Sequence, residues 1–133
     1  ARLVSLRERN VAVVDRFQPH MDGTVILAEG DTAKSMVLKS DQGRWFNYST
    51  ALKTVNIYRL SRELLSDVIV PEMESFLEYG RTDQYYEAVF ASLIDSGQME
   101  MSVMNTGNNK WAEIDDMGDL RKAEDIFAPV SVR

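Results

Sequence analysis

The apolar positions fall into short blocks separated by polar turns. Val11-Ala12-Val13-Val14 is a continuous apolar run, which predicts a strand buried on both faces and paired in parallel. Ahead of it, Leu3 and Leu6 stand three apart among charges, the spacing of a surface helix that Asn10 would cap. Residues 24–28 and 36–38 flank Glu29-Gly30-Asp31 and predict a β-hairpin. Residues 53–58 predict another strand. Ser61 is placed to cap a helix through Leu64 and Leu65, and Pro71 to start the next, with Met73, Phe76 and Leu77 inward and Gly80 as its left-handed stop. Asp83 opens a third helix, with Tyr85, Val89, Phe90, Leu93 and Ile94 on one side. Residues 99–104 alternate as a half-buried strand, and 111–114 form a short strand with Trp111 and Ile114 apolar. The last helix has Asp116 at its N-cap, Asp119 in its first turn, and Met117, Leu120, Ala123 and Phe127 as a stripe that Ile126 widens. This order predicts an α/β fold: a mixed, mostly parallel sheet flanked by helices, in one domain covering residues 1–133.

Composition narrows the function classes. Apolar content of 44% and charged content of 27% are those of a globular protein. The net charge of −6 comes without a Lys/Arg cluster, which argues against nucleic acid as a partner. No apolar run approaches a membrane span and no signal peptide opens the chain, so neither a membrane partner nor export is expected and a cytoplasmic location is the default. Without cysteine there is neither a disulfide framework nor thiolate chemistry.

Three places carry candidate chemistry. Glu113 and Asp115 are two apart at the end of an expected strand, just before a helix N-terminus, so both carboxylates can aim at one point. Two hard oxygen donors there suit Mg²⁺, which takes one or two carboxylates plus substrate phosphates; acids at a helix start are also favoured by the helix dipole alone. Lys53 shares the face of Val55 and Ile57 by period two. Either it snorkels to solvent, or that face opens on a cleft where the ammonium meets an anion. Tyr85-Tyr86-Glu87 places two aromatic rings beside a carboxylate, a setting for an ammonium group; on an amphipathic helix the same residues can pack inward and face solvent. Asn56, on the opposite strand face to Lys53, reads as structural or loosely site-facing. Asp15 reads as a loop start, His20 as an exposed loop residue with no positioned partner, and Trp45, Phe46 and Tyr48 as a staple for their loop or the lining of a pocket.

Three blocks in order carry a resemblance. Lys53-Thr54-Val55-Asn56-Ile57-Tyr58-Arg59-Leu60-Ser61 comes first, and Gly80-Arg81-Thr82-Asp83-Gln84-Tyr85-Tyr86-Glu87-Ala88-Val89-Phe90 second. The third is Trp111-x-Glu-Ile-Asp-Asp-x-x-Asp-Leu-x-x-Ala-Glu124. Together, over about residues 11–127, they resemble bacterial nucleotidyltransferases of the phosphocholine and phosphonate cytidylyltransferase kind. The resemblance implies a nucleotide-diphospho-sugar transferase-like fold and Mg²⁺-dependent transfer of CMP from CTP to a small phosphonate or phosphocholine-like acceptor. It implies Lys53 as the catalytic and acceptor-orienting cation, Tyr85, Tyr86 and Glu87 as further acceptor-binding residues, and Glu113 and Asp115 as metal ligands.

That family opens with a glycine-rich phosphate loop, and no two of the seven glycines here form Gly-x-Gly. The chain therefore reads as the C-terminal portion of such a domain, inactive alone, with the N-terminal half of the same domain as its partner. Missing strands would leave open sheet edges, from which self-association is expected. Two other classes stand beside this one: a portion of a sugar-phosphate nucleotidyltransferase, and a non-catalytic α/β interaction module.

Overall fold

A computed structural model of the chain describes residues 10–83 and 85–129. The expected helix over residues 2–9 and the tail at 130–133 lie outside them. Strands β1 (Val11–Arg16), β2 (Val25–Glu29), β3 (Thr32–Val37), β4 (Leu52–Arg59) and β5 (Ser102–Asn105) close into a barrel in the order β1-β4-β2-β3-β5. Only β1 and β5 run parallel; every other neighbouring pair is antiparallel. The mostly parallel sheet flanked by helices is therefore incorrect. Each strand has a neighbour on both sides, although β3 meets β5 at the single pair Thr32 with Ser102 and β2 meets β4 at two.

The misreading has a physical source. β1 is buried along its apolar run, with Val11, Ala12, Val13 and Val14 at most 7% exposed. Ala12 and Val14 join the main core, while Val11 and Val13 are buried outside it. A continuous apolar run reports burial on two faces and carries no information about strand direction. Direction is set by the connections. The β2–β3 hairpin turns at Gly30, whose φ of 57° suits a residue without Cβ. Only the path from β1 to β5 ends in a parallel pair, and it contains helices, as a parallel crossover needs a long connection.

The helices cover part of the barrel. Ser61 caps α1 (Arg62–Leu64) by accepting from the Leu64 amide at 3.1 Å. A π-helical turn (Leu65–Ile69) follows and leads directly into α2 (Val70–Glu78). Pro71 stands in the first turn of α2, as expected, although no break separates α2 from the turn before it. It lacks an N–H for the residue four back, and the widened turn before it relieves the ring's clash with that carbonyl. α3 (Tyr86–Asp95) lays Ala88, Val89, Phe90, Leu93 and Ile94 into the core against Ala33, Met36 and Met101.

The chain from residue 106 to 116 has no regular structure, so the expected strand at 111–114 does not form. α4 (Met117–Phe127) does form, and the Asp116 carboxylate caps it by accepting from the Gly118 and Asp119 amides at 2.7 and 2.9 Å. Of the expected apolar stripe only Ala123 is buried; Met117, Ile126 and Phe127 are exposed. Phe17, Phe46 and Tyr48 staple their loop by ring contacts, with Phe17 stacked on Tyr48 at 4.4 Å, and Trp45 stands free in solvent. No helix among the described residues is long and apolar enough to cross a membrane.

Candidate functional site

β4 is where the site begins. Between the pairs Ala12↔Tyr58 and Val14↔Thr54, β1 contributes Val13 alone while β4 contributes Val55, Asn56 and Ile57. The resulting bulge breaks the alternation of side chains. Asn56 takes φ 60°, the only positive φ at a non-glycine position among the described residues. Asparagine is one of the few side chains that adopts this conformation at modest cost. Asn56 therefore opens onto the same cleft as Lys53, not the opposite face that period two predicts.

Lys53 is 3% exposed. Its Nζ donates to the Thr54 carbonyl oxygen at 2.9 Å and lies 3.4 Å from Glu113 Oε2. An ammonium has three donors, so these two partners leave one for a ligand. Gly23, at φ 104°, lies against this group: a Cβ there would stand 3.3 Å from the ammonium and press on it. The strand-face lysine thus neither snorkels to solvent nor joins the apolar core.

From the irregular segment, Glu113 and Asp115 face the same cleft, which encloses about 820 Å³. Both line it although the strand expected to align them is absent. Glu113 Oε1 accepts from Asn56 Nδ2 at 2.8 Å. Among the described residues the Asp115 carboxylate has no partner, while its amide donates to Asp119 Oδ2 at 3.4 Å. Lys122 holds the Asp119 carboxyl below its ordinary range, chiefly by its hydrogen bond.

The Tyr85-Tyr86-Glu87 run divides. Tyr85 precedes α3 rather than packing in it; it is 80% exposed and lines the cleft. Glu87 lines it too, half-buried, with Oε2 accepting from the Thr24 hydroxyl at 2.9 Å. Tyr86 turns away: its ring packs edge-on against Tyr58 and Phe90, and its hydroxyl donates to Asn56 Oδ1 at 3.2 Å. Burial pushes the Tyr86 and Tyr58 phenols above the ordinary tyrosine range. Both stay protonated at neutral pH, and Tyr86 remains a donor.

Charge in the cleft is unbalanced. Lys39 is paired with Asp22 and Lys53 with Glu113. Asp83, Glu87 and Asp115 also line it and form no ion pair among the described residues. The cleft therefore offers one buried cation with a free donor at one side and surplus negative charge around it.

No three Asp, Glu or His side chains converge as a metal cage among the described residues. The donor set is two carboxylates, one of which already faces Lys53. Mg²⁺ commonly takes one or two carboxylates and fills its remaining positions with water and substrate phosphates. Asp115 offers an unpartnered carboxylate to such a half-site, whereas both oxygens of Glu113 already have partners, Asn56 on Oε1 and Lys53 on Oε2, so substrate oxygens would have to supply most of the coordination.

A second cleft of about 640 Å³ lies on the other side of these residues and shares Lys53, Glu113 and Asp115. Asp15, read as a loop start, stands in it and accepts from the Trp111 indole N–H at 2.6 Å, which anchors the irregular segment to the end of β1. His20 is exposed at its rim.

Sequence reasoning underrated Asn56 and missed Thr24 and Gly23. For Asn56 the legible signal was an asparagine inside a strand pattern, a residue type depleted in strands and tolerant of left-handed backbone. Nothing local marks Thr24 or Gly23, whose roles depend on the pairing of β2 with β4.

The chain is similar to the CMP-5'-(3-aminopropyl)phosphonate synthase of Streptomyces rubellomurinus (strain ATCC 31215), with 28% identity over 129 residues. The match covers 96% of this chain and 20% of the relative's length. No protein-family model and no solved structure matches the chain.

Proposed function

We propose that this chain is the acceptor-side portion of a cytidylyltransferase that moves CMP from CTP to a small aminoalkylphosphonate. A phosphonate oxygen attacks the α-phosphorus, a new P–O bond forms, the bond to the β-phosphate oxygen breaks, and pyrophosphate leaves. Both reactants are anions, so the protein's work is to position them and neutralise charge. The observation that carries the reading is the meeting of a buried lysine, with one donor to spare, and two carboxylates from a distant part of the chain in one cleft.

In this reading Lys53 donates to the acceptor's phosphonate and holds it for attack. Asp115 and Glu113 hold Mg²⁺, which when bound offsets the negative charge of the triphosphate. Glu87, fixed by Thr24, and the exposed ring of Tyr85 take the acceptor's ammonium. The surplus of acid at this end of the cleft favours an amine over a hydroxyl on the acceptor, in keeping with the aminopropyl group in the relative's name. The nucleotide would be held mostly by parts of the protein beyond this chain.

The test is pyrophosphate release by the full-length protein, with CTP, ATP, GTP and UTP each offered 3-aminopropylphosphonate, a hydroxyalkylphosphonate, phosphocholine and a sugar 1-phosphate. CTP with the aminoalkylphosphonate should give the highest kcat/KM. Preference for the sugar 1-phosphate would refute the proposal.

A further inference from the structure

Asn56 uses both the nitrogen and the oxygen of its carboxamide in contacts that link two sides of the cleft. Its Nδ2 donates to Glu113 Oε1 at 2.8 Å. Its Oδ1 accepts from the Tyr86 hydroxyl at 3.2 Å. Glu113 needs such a tether. It lies on a segment without regular structure, and its side chain is 40% exposed, against 4% for the lysine it faces. A glutamate in that setting has several rotamers open to it. Asn56 on one oxygen and Lys53 on the other select one of them.

The backbone of β4 serves this arrangement. Two residues more than β1 requires are inserted opposite Val13, and the left-handed φ of 60° falls on the residue whose amide makes the tether. Strained backbone at a cleft is the kind of feature that points to a role beyond folding.

We infer that Asn56 is a positioning residue: it fixes Glu113 against Lys53, so that the ammonium keeps its place and its free donor faces the cleft. Tyr86 acts through Asn56, holding the amide in the orientation that donates to Glu113. This inference rests on the reading of Lys53 and Glu113 as site residues.

The experiment uses the full-length protein, CTP and 3-aminopropylphosphonate, and compares Asn56→Gly, Glu113→Ala and the double variant. Glycine adopts a φ of 60° freely, so Asn56→Gly removes the amide without straining β4. It should lower kcat/KM about tenfold, the scale of one hydrogen bond to a charged group. The double variant should fall no further than Glu113→Ala alone, because Asn56 acts through that carboxylate. Asn56→Asp keeps the backbone preference and the acceptor for Tyr86, but it sets a carboxylate against Glu113 and should lose at least as much. Wild-type kcat/KM in folded Asn56→Gly or Asn56→Asp overturns the inference and leaves the site reading intact. A double variant whose loss is the product of the two single losses does the same. A wild-type protein that releases no pyrophosphate overturns the site reading, and this inference with it.

Discussion

The two halves of the candidate site are held by different means. Lys53 and Asn56 stand on β4, inside a closed barrel whose backbone pairing and buried core fix their positions. Glu113 and Asp115 stand on an irregular segment that is tied down by side chains: Trp111 to Asp15, Glu113 to Asn56 and Lys53, and Asp116 to the start of α4. The barrel side is rigid because the fold would be lost with it. The acidic side is held by a few polar contacts, each separately removable. On the acidic side Glu113 is tethered through both carboxylate oxygens, whereas the Asp115 carboxylate has no partner among the described residues.

The sharpest way to break the contrast is to damage the rigid side. Phe90 is 5% exposed and packs edge-on against Tyr58 and Tyr86, so Phe90→Ala opens a cavity between α3 and β4. Its cost should be about 3–5 kcal/mol of stability, measured by chemical denaturation. Both halves of the site should be lost together. Next in size is Asp115→Asn. It should cost at least ~2.7 kcal/mol of transition-state stabilisation in the full-length protein, the scale of one electrostatic element. The denaturation midpoint should not move, because Asp115 is exposed and its carboxylate has no partner among the described residues. A near-normal rate would remove it from the site. The smallest effect is expected from Asp116→Ala, which deletes the α4 cap and should cost about 1 kcal/mol. Amide hydrogen exchange should report that loss in α4 and leave the barrel strands unchanged.

The contrast also explains what the sequence made legible. Signals that act over a few residues were readable: the Gly30 hairpin, the Ser61 and Asp116 caps, and the apolar side of α3. The barrel was not, because the run from Val11 to Val14 encodes burial on two faces and is silent on strand direction. The strand expected around Ile114 failed for a related reason. Ile114 is 52% exposed and has no neighbouring strand to pair with, so alternation alone could not hold it extended in a sheet. Of the residues the sequence singles out, Lys53, Glu113, Asp115, Tyr85 and Glu87 line one cleft, whereas Tyr86 faces Asn56 and the aromatic cluster behind it. Asn56 was underrated because a bulge is a property of two paired strands, and only one of them was in view when β4 was read alone.

The proposed function requires the barrel's lysine and the acids of the irregular segment to serve one ligand. A crystal structure of the full-length protein with Mg²⁺, 3-aminopropylphosphonate and, in place of CTP, an analogue whose α,β-bridge cannot be cleaved would decide it. A phosphonate oxygen is expected within about 3.2 Å of Lys53 Nζ, with the ion on Asp115 and the ammonium beside Glu87. An acceptor bound outside this cleft, with Lys53 still facing only Thr54 and Glu113, would contradict it.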